Sequence, residues 1–165
     1  MTDHVPVELV GVRLQLPTNQ PVVLLREATG TRFLPIWVGA VEATAIAYAV
    51  EGLVPMRPLT HDLLKLVTES LGGTVVRVVV TELRDAVFYA DLVLEQAGRE
   101  VHISARPSDA IAIAVRTGSP IFAAPEVIDE AGVEIKDAEE ESEIEKFREF
   151  LDEVTPEDFA PPPER

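Results

Sequence analysis

The fold is decided by residues 74–116, which read TVVRVVVTELRDAVFYADLVLEQAGREVHISARPSDAIAIAVR. The stretch opens with three runs rich in β-branched and aromatic residues, at 74–83, 86–94 and 99–105, with short turn sequences between them. This spacing predicts three antiparallel strands in a β-meander. A helix is predicted to follow from Pro107, because proline is favoured in the first turn and small apolar residues come after it.

A second meander is predicted upstream, from apolar residues that alternate at 5–16, 21–27 and 33–38. Two helices follow at 40–51 and 60–71, and the first is apolar on nearly every side, so we expect it to be buried or to pack on a partner subunit. Shorter elements complete the pattern: a strand at 120–123 and a helical turn at 125–130. The whole pattern predicts an α+β protein with a mixed, largely antiparallel sheet of about six strands and three to four helices.

The C-terminal part of the chain differs in composition. Residues 132–141 are polar and acidic, which predicts a linker, and Ser142 with Glu145 forms a capping-box pattern at the start of a helix. That helix would carry one apolar stripe, made of Phe147, Phe150, Leu151 and Val154. We therefore predict a domain at residues 1–131 and an acidic linker, amphipathic helix and tail at residues 132–165.

Composition indicates a globular protein and excludes several classes. The 165 residues are 47% hydrophobic and 26% charged, which is enough to bury a core. Cysteine is absent, so disulfides, thiolate catalysis and cysteine-based zinc sites are excluded. The first ten residues lack the features of a signal peptide, and no apolar run approaches the roughly 20 residues of a membrane span. We expect a soluble, cytoplasmic protein that does not bind membranes.

Negative charge is concentrated at the C-terminal end. The formal net charge of −15, taken whole, argues against a nucleic-acid partner. Residues 126–165, however, hold 16 acidic and 4 basic residues, whereas residues 1–125 hold 13 acidic and 10 basic residues. The body is therefore nearly neutral. The acidic segment is either a solvated, solubilising face or a polyanion that shields a basic groove.

Two predicted helix starts carry the same chemistry. Each combines an arginine, a hydroxyl and a carboxylate: Arg57, Thr60 and Asp62 at the second helix, and Arg106, Ser108 and Asp109 at the third. Free N–H groups and the helix dipole favour an anion there, and arginine adds a two-pronged contact to phosphate. A carboxylate can hold a divalent cation or orient a water molecule. The alternative is structural, because these hydroxyl and carboxylate residues are also common helix caps.

His61 and Glu42 are two further candidates. His61 can exchange a proton near neutral pH and so could act as a general acid or base. It could equally be a helix-start histidine that binds solvent or backbone. Glu42 stands in the first turn of the apolar helix, where it could simply complement the dipole. His4 and His102 share no ligand spacing with His61, so a histidine-based zinc site is not expected.

Several segments resemble the bifunctional nuclease family in their order and spacing. They are Leu34-Pro35-Ile36-Trp37-Val38-Gly39, Glu42-Ala43, Arg57-Pro58-x-Thr60-His61-Asp62-Leu63, Phe88-Tyr89-Ala90 and Ala105-Arg106-Pro107-Ser108-Asp109-Ala110-Ile111-Ala112. The resemblance covers roughly residues 5–130, and the residues around 147–159 resemble the C-terminal extension of bacterial members. One position departs from the family pattern, because Ser104 stands where an aspartate is usual. A metal ligand at that place would be missing here.

The resemblance implies an α+β fold, homo-oligomers, and hydrolysis of phosphodiester bonds in DNA and RNA with little sequence specificity. For such an enzyme, phosphate would be bound by Arg57, Arg106, Thr60 and Ser108, and Mg²⁺ or Mn²⁺ would be held by Asp62, Asp109 and Glu42. His61 would move the proton. The catalytic residues would then be His61, Asp62, Asp109, Arg57 and Arg106. Two other functions stay open. One is a regulatory module that binds a small anionic ligand without chemistry, and the other is an interaction protein built around the apolar helix at 40–50.

Overall fold

The computed structural model describes residues 3–135, which form eight strands and four helices. The strands are β1 (Val5–Gln15), β2 (Gln20–Glu27), β3 (Arg32–Trp37), β4 (Gly73–Arg84), β5 (Val87–Gln96), β6 (Arg99–Ala105), β7 (Ile121–Ala123) and β8 (Val133–Glu134). The helices are α1 (Ala40–Val50), α2 (Thr60–Ser70), α3 (Pro107–Thr117) and α4 (Pro125–Ala131).

All eight strands belong to one sheet, in the order β6-β5-β4-β7-β1-β2-β3-β8. Strands β1 to β3 form one antiparallel meander and β4 to β6 form the other. The short strand β7 joins the two meanders, because it runs antiparallel to β1 and parallel to β4. The predicted α+β class and the mixed, largely antiparallel sheet are therefore confirmed.

The sheet has more strands than the predicted number of about six. Its last strand, Val133–Glu134, falls in the predicted acidic linker and pairs with Arg32 and Phe33. A strand of two residues is too short to show an alternation of apolar and polar side chains, so the sequence pattern could not predict it. Pro35 lies on the part of β3 that β8 does not cover, where a residue without a backbone N–H is tolerated.

The main core lies between one face of the sheet and α3. Residues 110–114 of α3 are at most 5% exposed, and their alanines let this helix approach α1 as well as β4 and β5. Pro107 stands in the first turn of α3, and Gly118 ends the helix with a φ of 67°, a conformation that favours glycine. Burial of each large side chain, such as Ile111, contributes roughly 2 kcal/mol.

The inner face of helix α1 is buried within the subunit, which agrees in part with one of the two sequence expectations, whereas Val41 and Val50 are exposed. Its inner face places Ala43, Ala45, Ile46 and Ala47 against α3 and against strands β1 and β2. The apolar composition of α1 is therefore explained to a large extent by the fold of a single chain.

Helix α2 is packed much less completely. His61 is its only buried residue, and its apolar stripe is exposed, with Leu63 at 53% and Leu71 at 70%. Among the described residues, 18 large hydrophobic side chains are exposed, and nine of them lie between positions 53 and 71. We call these nine side chains the α2 surface. Apolar surface of this extent is typical of an interface with another molecule.

The predicted division of the chain near residue 131 falls at the edge of the described residues. Residues 136–165, which include the predicted amphipathic helix and tail, lie outside them, so the two-part organisation stays a prediction. Among the described helices, none is both long and apolar enough to cross a membrane.

Candidate functional site

A cleft opens where α1, α2 and α3 meet strands β5 and β6. Its volume is about 1010 Å³. Thr60 and His61 line it from the start of α2, and Arg106 and Asp109 line it from the start of α3. Most of the remaining lining is aliphatic: Val41, Ala45, Pro58, Leu59, Leu64, Leu92, Leu94, Ile103, Ala105, Ala110 and Ile113.

Four side chains form a continuous hydrogen-bonded series at one end of the cleft. His61 Nε2 lies 2.9 Å from Asp109 Oδ1, and Arg106 Nε donates to Asp109 Oδ2 at 2.8 Å. Arg106 Nη2 donates to Glu42 Oε1 at 3.0 Å. We call this arrangement the His–Asp–Arg–Glu series. It connects the first turns of three helices, because Glu42 belongs to α1, His61 to α2 and Asp109 to α3.

The tautomer of His61 follows from its partner. An ionised carboxylate only accepts hydrogen bonds, so a neutral His61 donates from Nε2 to Asp109 and keeps the lone pair on Nδ1. Within residues 3–135, Nδ1 has no hydrogen-bond partner. The side chain is 8% exposed, so packing holds the imidazole in place while it lines the cleft. Nδ1 is therefore the nitrogen that a bound molecule could use.

Asp109 is charged at neutral pH. Burial alone would raise the pKa of its carboxyl, but the Arg106 guanidinium and the hydrogen bond from His61 outweigh burial and hold the pKa below its usual value. Asp109, and then Glu42, raise the pKa of Arg106. Both oxygens of Asp109 bind side chains, and α3 has no side-chain cap. Helix capping therefore does not account for this aspartate.

Gly39 makes room for the carboxylate of Glu42. A Cβ atom at position 39 would collide with Glu42 Oε2, so a larger residue would displace the carboxylate that contacts Arg106. The φ of Gly39 is −71°, which other residues also adopt. Close approach, and not backbone conformation, is thus the reason for glycine at the start of α1.

Asp62 binds the framework beneath the cleft. Its Oδ1 accepts from Arg116 Nε at 2.7 Å and its Oδ2 accepts from the Leu59 N–H at 2.9 Å. Arg116, 7% exposed, also donates to the carbonyls of Ala112 and Ala45. Burial would raise the pKa of Asp62, but the Arg116 and Leu59 hydrogen bonds lower it overall. The pair therefore ties α2 to α1 and α3.

The structure gathers some of the predicted site residues and separates others. Those that line the cleft are Glu42, Thr60, His61, Arg106 and Asp109. Arg57 is exposed in the loop before α2 and Ser108 is buried in the first turn of α3; neither lines the cleft. The predicted roles of Arg57, Ser108 and Asp62 stay predictions.

The three carboxylates predicted to hold a divalent metal are each paired with an arginine. Asp109 and Glu42 share Arg106, and Asp62 binds Arg116. In the part of the chain that the structure describes, no group of three or more His, Asp or Glu side chains is placed to hold a metal ion. A cation would have to displace a guanidinium from these oxygens, so the arrangement does not fit a metal site. The Mg²⁺ or Mn²⁺ prediction therefore needs an experiment.

Sequence reasoning missed Arg116 and the aliphatic lining. An arginine in the last turn of a helix is commonly a surface residue that complements the dipole, so no signal in the sequence marks Arg116 as the buried partner of Asp62. Leu94 and Ile103 alternate along their strands as core residues do. Only the packing of α2 against the sheet leaves them open to the cleft.

Comparison with known proteins identifies relatives in bacteria and plants. A family model for the bifunctional nuclease domain matches residues 23–136. Two uncharacterized proteins of Mycobacterium tuberculosis, from strains CDC 1551 and H37Rv, are each 48% identical over 161 residues, which cover 93% of this chain and 96% of each relative.

More distant similarity extends to plants. Bifunctional nuclease 1 of Oryza sativa subsp. japonica is 31% identical over 106 residues, and bifunctional nuclease 1 of Arabidopsis thaliana is 32% identical over 105 residues. These matches cover 62% and 61% of this chain, and 32% of each plant protein. The similarity to the plant proteins is thus limited to about a third of their length.

Proposed function

Because the chain belongs to the bifunctional nuclease domain family, we propose that its cleft hydrolyses phosphodiester bonds in DNA and RNA. One observation carries the proposal: Asp109 holds both the imidazole of His61 and the guanidinium of Arg106 where two helices begin. A general base is thereby set beside a group that binds phosphate.

In the proposed reaction, Nδ1 of His61 takes a proton from a water molecule while the water oxygen bonds to phosphorus. The bond between phosphorus and the leaving oxygen of the sugar, ribose or deoxyribose, breaks, and that oxygen takes a proton from solvent. Asp109 keeps its charge because its pKa is lowered, so it stabilises the imidazolium that forms at His61 without accepting the proton.

Arg106 is suited to the phosphate because only part of its guanidinium is engaged. Its Nε and Nη2 bind Asp109 and Glu42, whereas Nη1 has no hydrogen-bond partner within residues 3–135. The side chain is 65% exposed. Contact with a phosphate oxygen carries no base information, so weak sequence specificity and activity on both DNA and RNA are expected.

The test is cleavage of DNA and RNA oligonucleotides by the full chain after dialysis against a chelator, with and without added Mg²⁺ or Mn²⁺. We expect cleavage to survive chelation, because Asp109 and Glu42 are bonded to Arg106. Cleavage that strictly requires added metal would instead support the metal-ligand prediction. Failure to cleave under every condition would reject the nuclease proposal.

Charge favours one alternative function, a module that binds a small anionic ligand without chemistry. Residues 3–135 hold 17 acidic and 10 basic residues, whereas affinity for a nucleic-acid backbone usually depends on basic surface. In this alternative Arg106 still binds the anion, and His61 only positions it. Binding of inorganic phosphate or a nucleotide, together with no cleavage of any oligonucleotide, would identify such a module.

We also propose that the protein is cytoplasmic and forms a homo-oligomer through the α2 surface. Seven of the nine exposed apolar side chains between positions 53 and 71 support self-association. The other two, Leu59 and Leu64, line the cleft. Helix α1 contributes less than the sequence suggested, since much of its apolar surface is already covered inside the subunit.

A further inference from the structure

The cleft is lined by two chemically different groups of side chains. Its charged groups all belong to the His–Asp–Arg–Glu series, three threonines add hydroxyl groups, and the rest of the lining is aliphatic. The apolar part is formed by Leu92 and Leu94 of β5, Ile103 of β6, Ile113 of α3 and Leu64 of α2. A ligand that fits both parts has an anionic group next to a flat or bulky apolar group.

We infer that the aliphatic part of the cleft binds one unstacked nucleobase while the adjoining phosphate contacts Arg106, so that the substrate is single-stranded nucleic acid. This inference rests on the proposed nuclease function and names its substrate class. A nucleobase is flat and largely apolar on both faces, and apolar side chains bind such faces in sites that act on unstacked nucleotides.

Duplex nucleic acid fits the same cleft poorly. A duplex presents phosphates and sugars to a protein surface and keeps its bases stacked inside, so the walls around Ile103 and Leu64 would face no apolar partner. The excess of acidic over basic residues in positions 3–135 also provides little attraction for a duplex backbone. Base burial therefore has to supply the affinity that charge does not.

The cleft is large enough for a nucleotide unit. Its volume of about 1010 Å³ lies at the upper end of the range of roughly 300–1,000 Å³ for small-ligand sites. The lining contains no Phe, Tyr or Trp side chain, so no particular base is selected by stacking on such a ring. Any of the bases of DNA or RNA would bind, as loose specificity requires.

The test compares ligands that share the phosphate and differ in the base. We expect adenosine 5′-monophosphate to bind the full chain about tenfold more tightly than ribose 5-phosphate by calorimetry, a difference of ~1.4 kcal/mol. Ile103→Ser should remove about fivefold of the adenosine 5′-monophosphate affinity and leave ribose 5-phosphate binding unchanged. Val101→Ser is the matched control, because Val101 is on the same strand and face and is 39% exposed, but does not line the cleft.

Cleavage assays separate this inference from the function on which it rests. We expect a single-stranded oligonucleotide to be cut at least about tenfold faster than its duplex. Equal cleavage of both forms, abolished by loss of His61, would overturn the inference and keep the nuclease function. If neither form is cut, the nuclease function fails and the binding comparison still decides whether the base is held. Equal affinity for adenosine 5′-monophosphate and ribose 5-phosphate would contradict the inference in either case.

Discussion

Replacing Asp109 by asparagine should lower the rate of phosphodiester cleavage by about 10²–10⁴-fold, the usual contribution of a positioned general base. Arg106 Nε can only donate, and it lies 2.8 Å from Asp109 Oδ2. The asparagine in Asp109→Asn must therefore place its amide oxygen towards Arg106 and its NH₂ group towards His61.

That orientation changes the tautomer of His61. Nε2, 2.9 Å from the replaced oxygen, would have to accept a hydrogen bond, so the imidazole proton would move to Nδ1. Nδ1, the nitrogen proposed to act as the base, would then carry a proton and could not take one from water. The substitution thus removes the base while it preserves the shape of the side chain.

The assay is the initial rate on a fluorescent single-stranded oligonucleotide, measured with variants whose unfolding is followed in parallel. We expect Asp109→Asn to cost about 1 kcal/mol of the free energy of unfolding, because the hydrogen bonds are rearranged and not all lost. Asp91→Asn is the matched control, because Asp91 lies 3.4 Å from the exposed His102 and both residues belong to the face of β5 and β6 opposite to the cleft. The Asp91→Asn protein should cleave at the normal rate. An Asp109→Asn protein that is folded and within about threefold of the normal rate would refute the reasoning.

Three further outcomes are expected. Asp62→Asn should lower the free energy of unfolding at neutral pH by about 2 kcal/mol, because Arg116 loses its carboxylate partner. The pKa of Asp62 is lowered in the folded state, so this stability is present above the unfolded pKa of about 3.9 and disappears as pH falls through the folded pKa. The free energies of unfolding of the two proteins should therefore converge when they are measured at increasingly acidic pH. Leu63→Glu with Leu66→Glu should shift sedimentation towards the monomer, and an unchanged oligomer would exclude the α2 surface. Deleting residues 137–165 should tighten the binding of single-stranded DNA at low salt. The gain in affinity should be lost as added salt shortens the Debye length to about 10 Å at 0.1 M. Unchanged affinity at low salt would show that the acidic segment is only solubilising.

Much of the fold could be predicted because its signals are local. Alternation identified both meanders, and Pro107 marked where α3 begins. The two-residue strand β8 and the pairing of β7 with both meanders could not be predicted. Their places depend on contacts between strands that are far apart in the sequence. The periodicity of one strand does not indicate which other strand pairs with it.

The candidate site was predictable in its residue types and not in its pairings. The repeated Arg–hydroxyl–carboxylate pattern drew attention to Arg106 and Asp109, which line the cleft. The same pattern gave equal weight to Asp62, whose carboxylate binds a buried arginine. Which of the two carboxylates faces the cleft depends on how α2 and α3 pack together. The two helix starts have the same composition, so their sequences do not show this difference. The structural alternative, helix capping, applies in part to Asp62, which accepts a hydrogen bond from the N–H of Leu59.

The most direct test of the account is the single-turnover rate of His61→Gln on matched single-stranded DNA and RNA, measured beside the unmodified protein. If the cleft carries out the chemistry, both rates should fall together by at least about 100-fold, while nucleotide binding at Arg106 and the unfolding transition change little. Cleavage of either substrate at the unmodified rate by a folded His61→Gln protein would contradict the claim that the His–Asp–Arg–Glu series is the catalytic site.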